Sequence, residues 1–121
     1  MTNTLVRYAR LGVEGCGTPF DIYKRIEGAC GINRELSLDL WAMHECLLFL
    51  KISGDTDTLD AIKEIYLKPF LKAPDRATLK NEISGMILRY SCENYVDERT
   101  VYRRLRKARD LWGAFRRLQL K

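Results

Sequence analysis

The chain has one histidine among its 121 residues, and that scarcity removes much of the familiar chemistry of protein sites. A hydrolytic triad, a histidine-rich metal centre or a proton relay each needs an imidazole beside a second reactive group. Cys46 is the only nucleophile close in sequence to His44. Two positions apart on a predicted helix, their side chains point to different sides. There is no Gly-rich phosphate loop, no GxSxG and no acid pair at motif spacing. Neither an enzymatic activity nor a cofactor is expected.

Long apolar runs are also missing. The longest, Cys46–Leu50, is five residues, against the roughly 20 that span a bilayer. No basic stretch followed by an apolar one opens the chain, so the cytoplasm is the expected compartment and a membrane is not an expected partner. The four cysteines, at 16, 30, 46 and 92, form no CxxC. A zinc site from Cys16, Cys30, His44 and Cys46 meets the same helical-spacing objection, so no metal is expected and reduced, buried thiols are.

What is present is positive charge, and it is concentrated. Asp97–Lys121 carries nine Lys or Arg against three acids, a net of +6, while the other 96 residues hold twelve bases and thirteen acids. Within that stretch, Val101, Leu105, Ala108, Trp112 and Phe115 fall on one stripe at 100° per residue, with most of the basic residues broadly opposite. Asp97 stands where an N-cap belongs. The segment 97–118 therefore reads as an amphipathic helix with a core-facing seam and a basic outer face, the electrostatic footprint of nucleic-acid contact.

The remaining pattern is helical too, with no alternation long enough for a sheet. Residues 1–17 form an arm whose conformation, short helix or extended, the pattern leaves open, with a loop at 13–17. Thr18-Pro19 starts a helix at about 19–29 on which Phe20, Tyr23, Ile26 and Cys30 recur. GINRE, residues 31–35, is a connector, and Ser37 caps a helix at 38–52 that is apolar nearly all round. A helix follows at about 57–67, ending at Pro69, with a second turn at Ala73-Pro74; another runs from Thr78 or Asn81 to about Glu93. Asn94 supplies the left-handed residue of the turn before Asp97. The expectation is an all-α single-domain bundle of five helices over 18–121, with a helix-turn-helix at 80–118 supported by the helix at 57–67.

On that reading Ser91, Val96, Val101 and Leu105 face inward, and Glu98, Arg99, Tyr102, Arg103 and Arg106 stand free. The string DERTVYRRLRKARDLW, from Asp97 to Trp112, resembles the recognition helix of bacterial helix-turn-helix regulators. The run 57–115 is similar to the DNA-binding region of ArpU-type phage transcriptional regulators, which themselves resemble the promoter-reading C-terminal region of sigma factors. Asn94-Tyr95 departs from the Leu-Gly of many such turns. The resemblance implies a sequence-specific binder of duplex DNA in transcription, with RNA polymerase as a second partner. It also implies Arg99, Thr100, Tyr102, Arg103 and Arg106 as DNA-facing residues. Arg99 and Arg103 suit guanine edges, and Thr100, Arg104, Lys107 and Arg109 suit phosphates, with Lys80 and Arg89 adding to them. Arg116, near the helix end, is expected to matter less.

Two other classes fit the same helix. Its 4-3-4-3 seam would serve a protein-interaction adaptor pairing with a partner helix, and its arginines and tyrosines would serve an RNA binder. Self-association is a further expectation. Trp41, Met43, Phe49 and Leu50 give 36–52 more apolar circumference than a small domain readily covers, so a homodimer through this helix stands beside its simply being the core's centre.

Overall fold

The structure is a computed structural model that describes residues 1–13, 18–68 and 75–119. Six helices and no strand occur among the described residues: α1 (Thr2–Leu11), α2 (Pro19–Cys30), α3 (Arg34–Ile52), α4 (Thr56–Ile62), α5 (Arg76–Asn94) and α6 (Glu98–Gln119). The chain is an all-helical bundle, as the periodicity implies. Helix α4 runs on as a π-helical turn, Lys63–Leu67, closed by the Lys68 N–H donating to the Lys63 carbonyl at 2.8 Å.

Four helices begin at a residue whose side chain accepts the backbone N–H three positions on: Thr18 from Asp21 (3.2 Å), Asn33 from Leu36 (3.1 Å), Asp55 from Thr58 (3.2 Å) and Asp75 from Thr78 (2.8 Å). Each such cap stabilises its helix by about 1 kcal/mol. Two of them correct the expected boundaries. Asn33, not Ser37, starts α3, so part of the supposed connector is helical, and Asp75 starts α5 earlier than Thr78 or Asn81. The expected turns at Pro69 and Ala73-Pro74, and most of the loop at 13–17, lie outside the described residues.

The N-terminal arm is a helix that belongs to the core. Leu5 is fully buried, with Val6 and Tyr8 beside it, and α1 lies against α2, α3 and the π-helical turn. It ends at Gly12 with φ +65°, a left-handed conformation that glycine adopts without steric cost. The Arg25 guanidinium donates to the Leu11 and Gly12 carbonyls there, at 2.9 and 3.2 Å.

Helix α3 is the centre. It touches α1, α2, α4 and α6, and Leu40, Met43, Cys46 and Leu50 are almost completely shielded from solvent. This removes two of the four residues offered as surplus for a dimer. Met43 and Leu50 are core residues at 1% and 0% exposure, and Trp41 is half-buried with its indole N–H donating to Glu27 at 2.7 Å. The uncovered apolar face lies at the end of the helix, at Leu48, Phe49 and Ile52. On α2, Ile26 and Cys30 enter the core but Phe20 and Tyr23 do not; Tyr23 instead lies beside Trp41, ring centroids 6.0 Å apart.

Candidate nucleic-acid interface

Helix α6 is fixed on one side and bare on the other. Val101 and Ala108 are completely buried and Leu105 nearly so, while Leu111, Trp112 and Phe115 pack more loosely on the same core. The Trp112 indole N–H donates to the Asp39 carbonyl at 3.1 Å, and the Phe115 ring meets Phe49 edge to face at 5.8 Å. The expected seam is therefore the attachment of α6 to α3, α4 and α5. With its apolar face used inside the chain, little of the seam is left for a partner helix.

The approach to α6 is a three-residue turn. Helix α5 ends at Asn94, and Tyr95 takes the left-handed conformation, φ 54° and ψ 40°. Here the expectation was one residue off: Asn94 remains helical, and its side-chain amide donates to the Tyr90 carbonyl at 2.9 Å. The N–H groups of Tyr95 and Val96 both turn back to the Ser91 carbonyl, and the Ser91 hydroxyl donates to the carbonyl of Val96. Ser91 thus ties both ends of the turn, which explains a small polar residue at that position. Asp97 then opens α6: its carboxylate accepts the Arg99 N–H at 3.2 Å and its carbonyl those of Thr100 and Val101.

The eight candidate contact residues separate into groups. Arg99, Tyr102, Arg103 and Arg106, at i, i+3, i+4 and i+7, form one exposed row. None of the three arginines has an ion-pair partner among the described residues. Thr100 is half-buried at the edge of this row. Arg104 is half-buried too, with its guanidinium 3.8 Å from Asp57. Lys107 is hydrogen-bonded to Asp55, and that ammonium holds the Asp55 carboxyl below its usual range, helped by the Thr58 N–H. Arg109 is exposed, with its guanidinium 3.9 Å from the carboxylate of the adjacent Asp110. Lys80 is exposed, whereas Arg89 pairs with Glu93 at 2.8 Å. The sequence gives no sign of Asp55 and Asp57 as counterions, because both stand on the start of α4, far away along the chain.

Cys46 is buried with its thiol 3.7 Å from the Ala108 carbonyl, and burial pushes its pKa up to about 12, far from a reactive thiolate. His44 Nδ1 lies 2.9 Å from the Tyr8 hydroxyl, and its half-buried setting lowers its pKa. Cys16 lies outside the described residues, and among the described ones no three His, Cys, Asp or Glu side chains gather as a metal site would require. No described helix is long and apolar enough to cross a membrane. Compared with protein-family models, with curated proteins and with solved structures, the chain finds no match.

Proposed function

We propose that this chain binds duplex DNA through α6, with α5, its turn and α6 working as a helix-turn-helix, and that it regulates transcription. One observation carries the reading: the exposed row Arg99, Tyr102, Arg103, Arg106 stands unpaired on a helix whose other face is anchored in the core. A rigidly held helix presenting arginines fits the major groove, where a guanidinium meets guanine O6 and N7 with two hydrogen bonds. Tyr102 suits a thymine methyl or the sugar–phosphate backbone. Arg109 and Thr100 flank the row as phosphate contacts, and Arg104 and Lys107 stand beside them, held by Asp57 and Asp55 and able to reach phosphate only when released. The π-extended α4, which touches both α5 and α6 with its π turn and first turns respectively, is the supporting third helix. The similarity to ArpU-type regulators and the sigma C-terminal region adds RNA polymerase as a second partner. The proposal includes a homodimer joined through Leu48, Phe49 and Ile52, the uncovered end of α3. A two-fold pair would set half-sites about one helical turn apart.

Gel shifts with duplex DNA, duplex RNA and single strands at one salt concentration test the reading directly. Duplex DNA should bind tightest, and its affinity should fall about a hundredfold between about 50 and 200 mM salt if some four phosphates are neutralised. Preference for duplex RNA or for single strands would replace DNA as the ligand. Absence of binding to all three would overturn the nucleic-acid reading. Light scattering at micromolar concentration tests the dimer, for which a monomeric mass is the adverse result.

A further inference from the structure

A cleft of about 570 Å³ opens between the start of α1, the π-helical turn, α5 and α6. Its inner wall is apolar: Leu79, Ile83, Ile87 and Leu105. Its rim carries three basic side chains, Lys80 from α5 and Arg106 and Arg109 from α6, and no Asp or Glu lines it among the described residues. Lys80 and Arg106 have no ion-pair partner among those residues. Tyr66, Ser84 and Tyr102, with Met1, Thr2 and Asn3, complete the lining.

We propose that this cleft is a binding site for a small amphipathic anion, a molecule with an apolar body and one carboxylate, phosphate or sulfonate head. The volume is in the range of about 300–1,000 Å³ occupied by small-molecule ligands, too little for a folded partner. The wall would take the apolar body out of water. Lys80 and Arg106, unpaired, with Arg109 beside them and no carboxylate in the lining, leave a positive field that a single anionic head satisfies, guanidinium groups doing so with paired hydrogen bonds. A neutral apolar molecule would leave that field uncompensated, and a free inorganic anion would leave the wall bare. The site goes beyond the DNA reading and does not need it. One consequence does rest on that reading: Arg106 belongs both to the cleft and to the exposed row, so an occupant competes with DNA.

The probe is 8-anilinonaphthalene-1-sulfonate, titrated into the full chain and followed by fluorescence, with circular dichroism recording that each variant is folded. One saturable site is expected. Lys80→Ala and Arg106→Ala should each weaken it about tenfold, as loss of one charge-assisted hydrogen bond does. Ser84→Trp, an exposed α5 position at the cleft, should abolish binding by filling the space, while Arg34→Ala, away from the lining, should leave it unchanged. Dodecanoate and dodecyl phosphate should displace the probe and dodecanol should not; the stronger displacer identifies the head group. Probe binding that is indifferent to Ser84→Trp, or to both charge removals, overturns the site. Failure of the dye to weaken duplex-DNA binding, in protein that binds both, overturns the competition while leaving the DNA reading standing.

Discussion

From Glu98 to Lys107, helix α6 carries Arg99, Arg103, Arg104, Arg106 and Lys107; from Ala108 to Gln119 it carries Arg109, Arg116 and Arg117. Both halves are basic and both have a buried seam, yet their charges are engaged differently. In the first half three arginines stand unpaired in a row. In the second, Arg116 is half-buried and donates to both Asp39 and Glu35 of α3, beside Trp112 bonded to the Asp39 carbonyl. The cause is what lies alongside. Helix α3 brings Glu35 and Asp39 to the second half, whereas the acids nearest the first half, Asp55 and Asp57, reach only Lys107 and Arg104 at its inner edge. Charge in sequence measures what a helix carries. The acids packed beside it determine what is free to meet a polyanion.

The largest effect should come from removing the free row. Arg99→Ala with Arg103→Ala is expected to lower affinity for a specific duplex by about 2–6 kcal/mol, two guanine contacts of roughly 1–3 kcal/mol each, with thermal stability unchanged. Titration by fluorescence anisotropy measures it. Equal loss of stability and binding would mean that the row is structural and would break the contrast between the two halves.

Arg116→Ala is the opposite case. Affinity for DNA should change little, but stability should drop by about 1 kcal/mol as the bridge from α6 to α3 is cut and Asp39 and Glu35 lose their counterion. Urea denaturation reads the loss. The two carboxylates also hold the Arg116 guanidinium more firmly protonated than usual, Asp39 chiefly, which agrees with a group held rather than solvated. A variant as stable as the parent that also fails to bind DNA would place Arg116 with the first half.

Tyr95→Gly sharpens where the free half begins. Tyr95 is 97% exposed and left-handed, so it packs on nothing and carries the crowding of a side chain at positive φ. Glycine relieves that at the cost of extra freedom in the unfolded chain, for a net gain of about 0.5–1 kcal/mol. A loss of stability would show that the ring contributes to the turn.

How much of this was readable along the chain depended on range. The seam of α6 and the Asp97 opening are local and legible along the chain, and 3.6-residue periodicity also displayed the burial of Ile62 and Tyr66 in α4 and its π-helical turn. Caps were read less well, because Asn33 and Ser37, or Asp75 and Thr78, are equally competent a few residues apart and only packing chooses between them. Helix α1 was illegible for lack of a long pattern: its burial comes from α3 and the π turn, not from its own residues. The pairings that sort the basic residues were beyond reach altogether. Lys107 and Asp55 are 52 residues apart, Arg116 and Asp39 77, and no local spacing announces either. The cleft, assembled from four separate segments, was invisible for the same reason.

The smallest effect belongs to Asp55→Asn, and it tests whether Lys107 is held back from the free row. Asparagine caps a helix about as well as aspartate, so the bond from the Thr58 N–H should survive while the charge on Lys107 is released. At neutral pH the cost should be under about 1 kcal/mol, in keeping with a surface ion pair. The pH dependence has a definite sign. Because the Lys107 hydrogen bond lowers the Asp55 pKa in the folded chain, the carboxylate contributes stability above its ordinary value of 3.8. That contribution fades as pH falls through the lowered folded value, when both states bind the proton alike. The Asn variant lacks this term, so its stability should decline less steeply on acidification from 3.8 down to that lowered value. At neutral pH the freed ammonium becomes available to phosphate, and the slope of log affinity against log salt should steepen by about one. A slope identical to the parent's, with the acid limb flattened as expected, would show that Lys107 does not reach DNA even when released. Lys107 would then stand outside the contact surface.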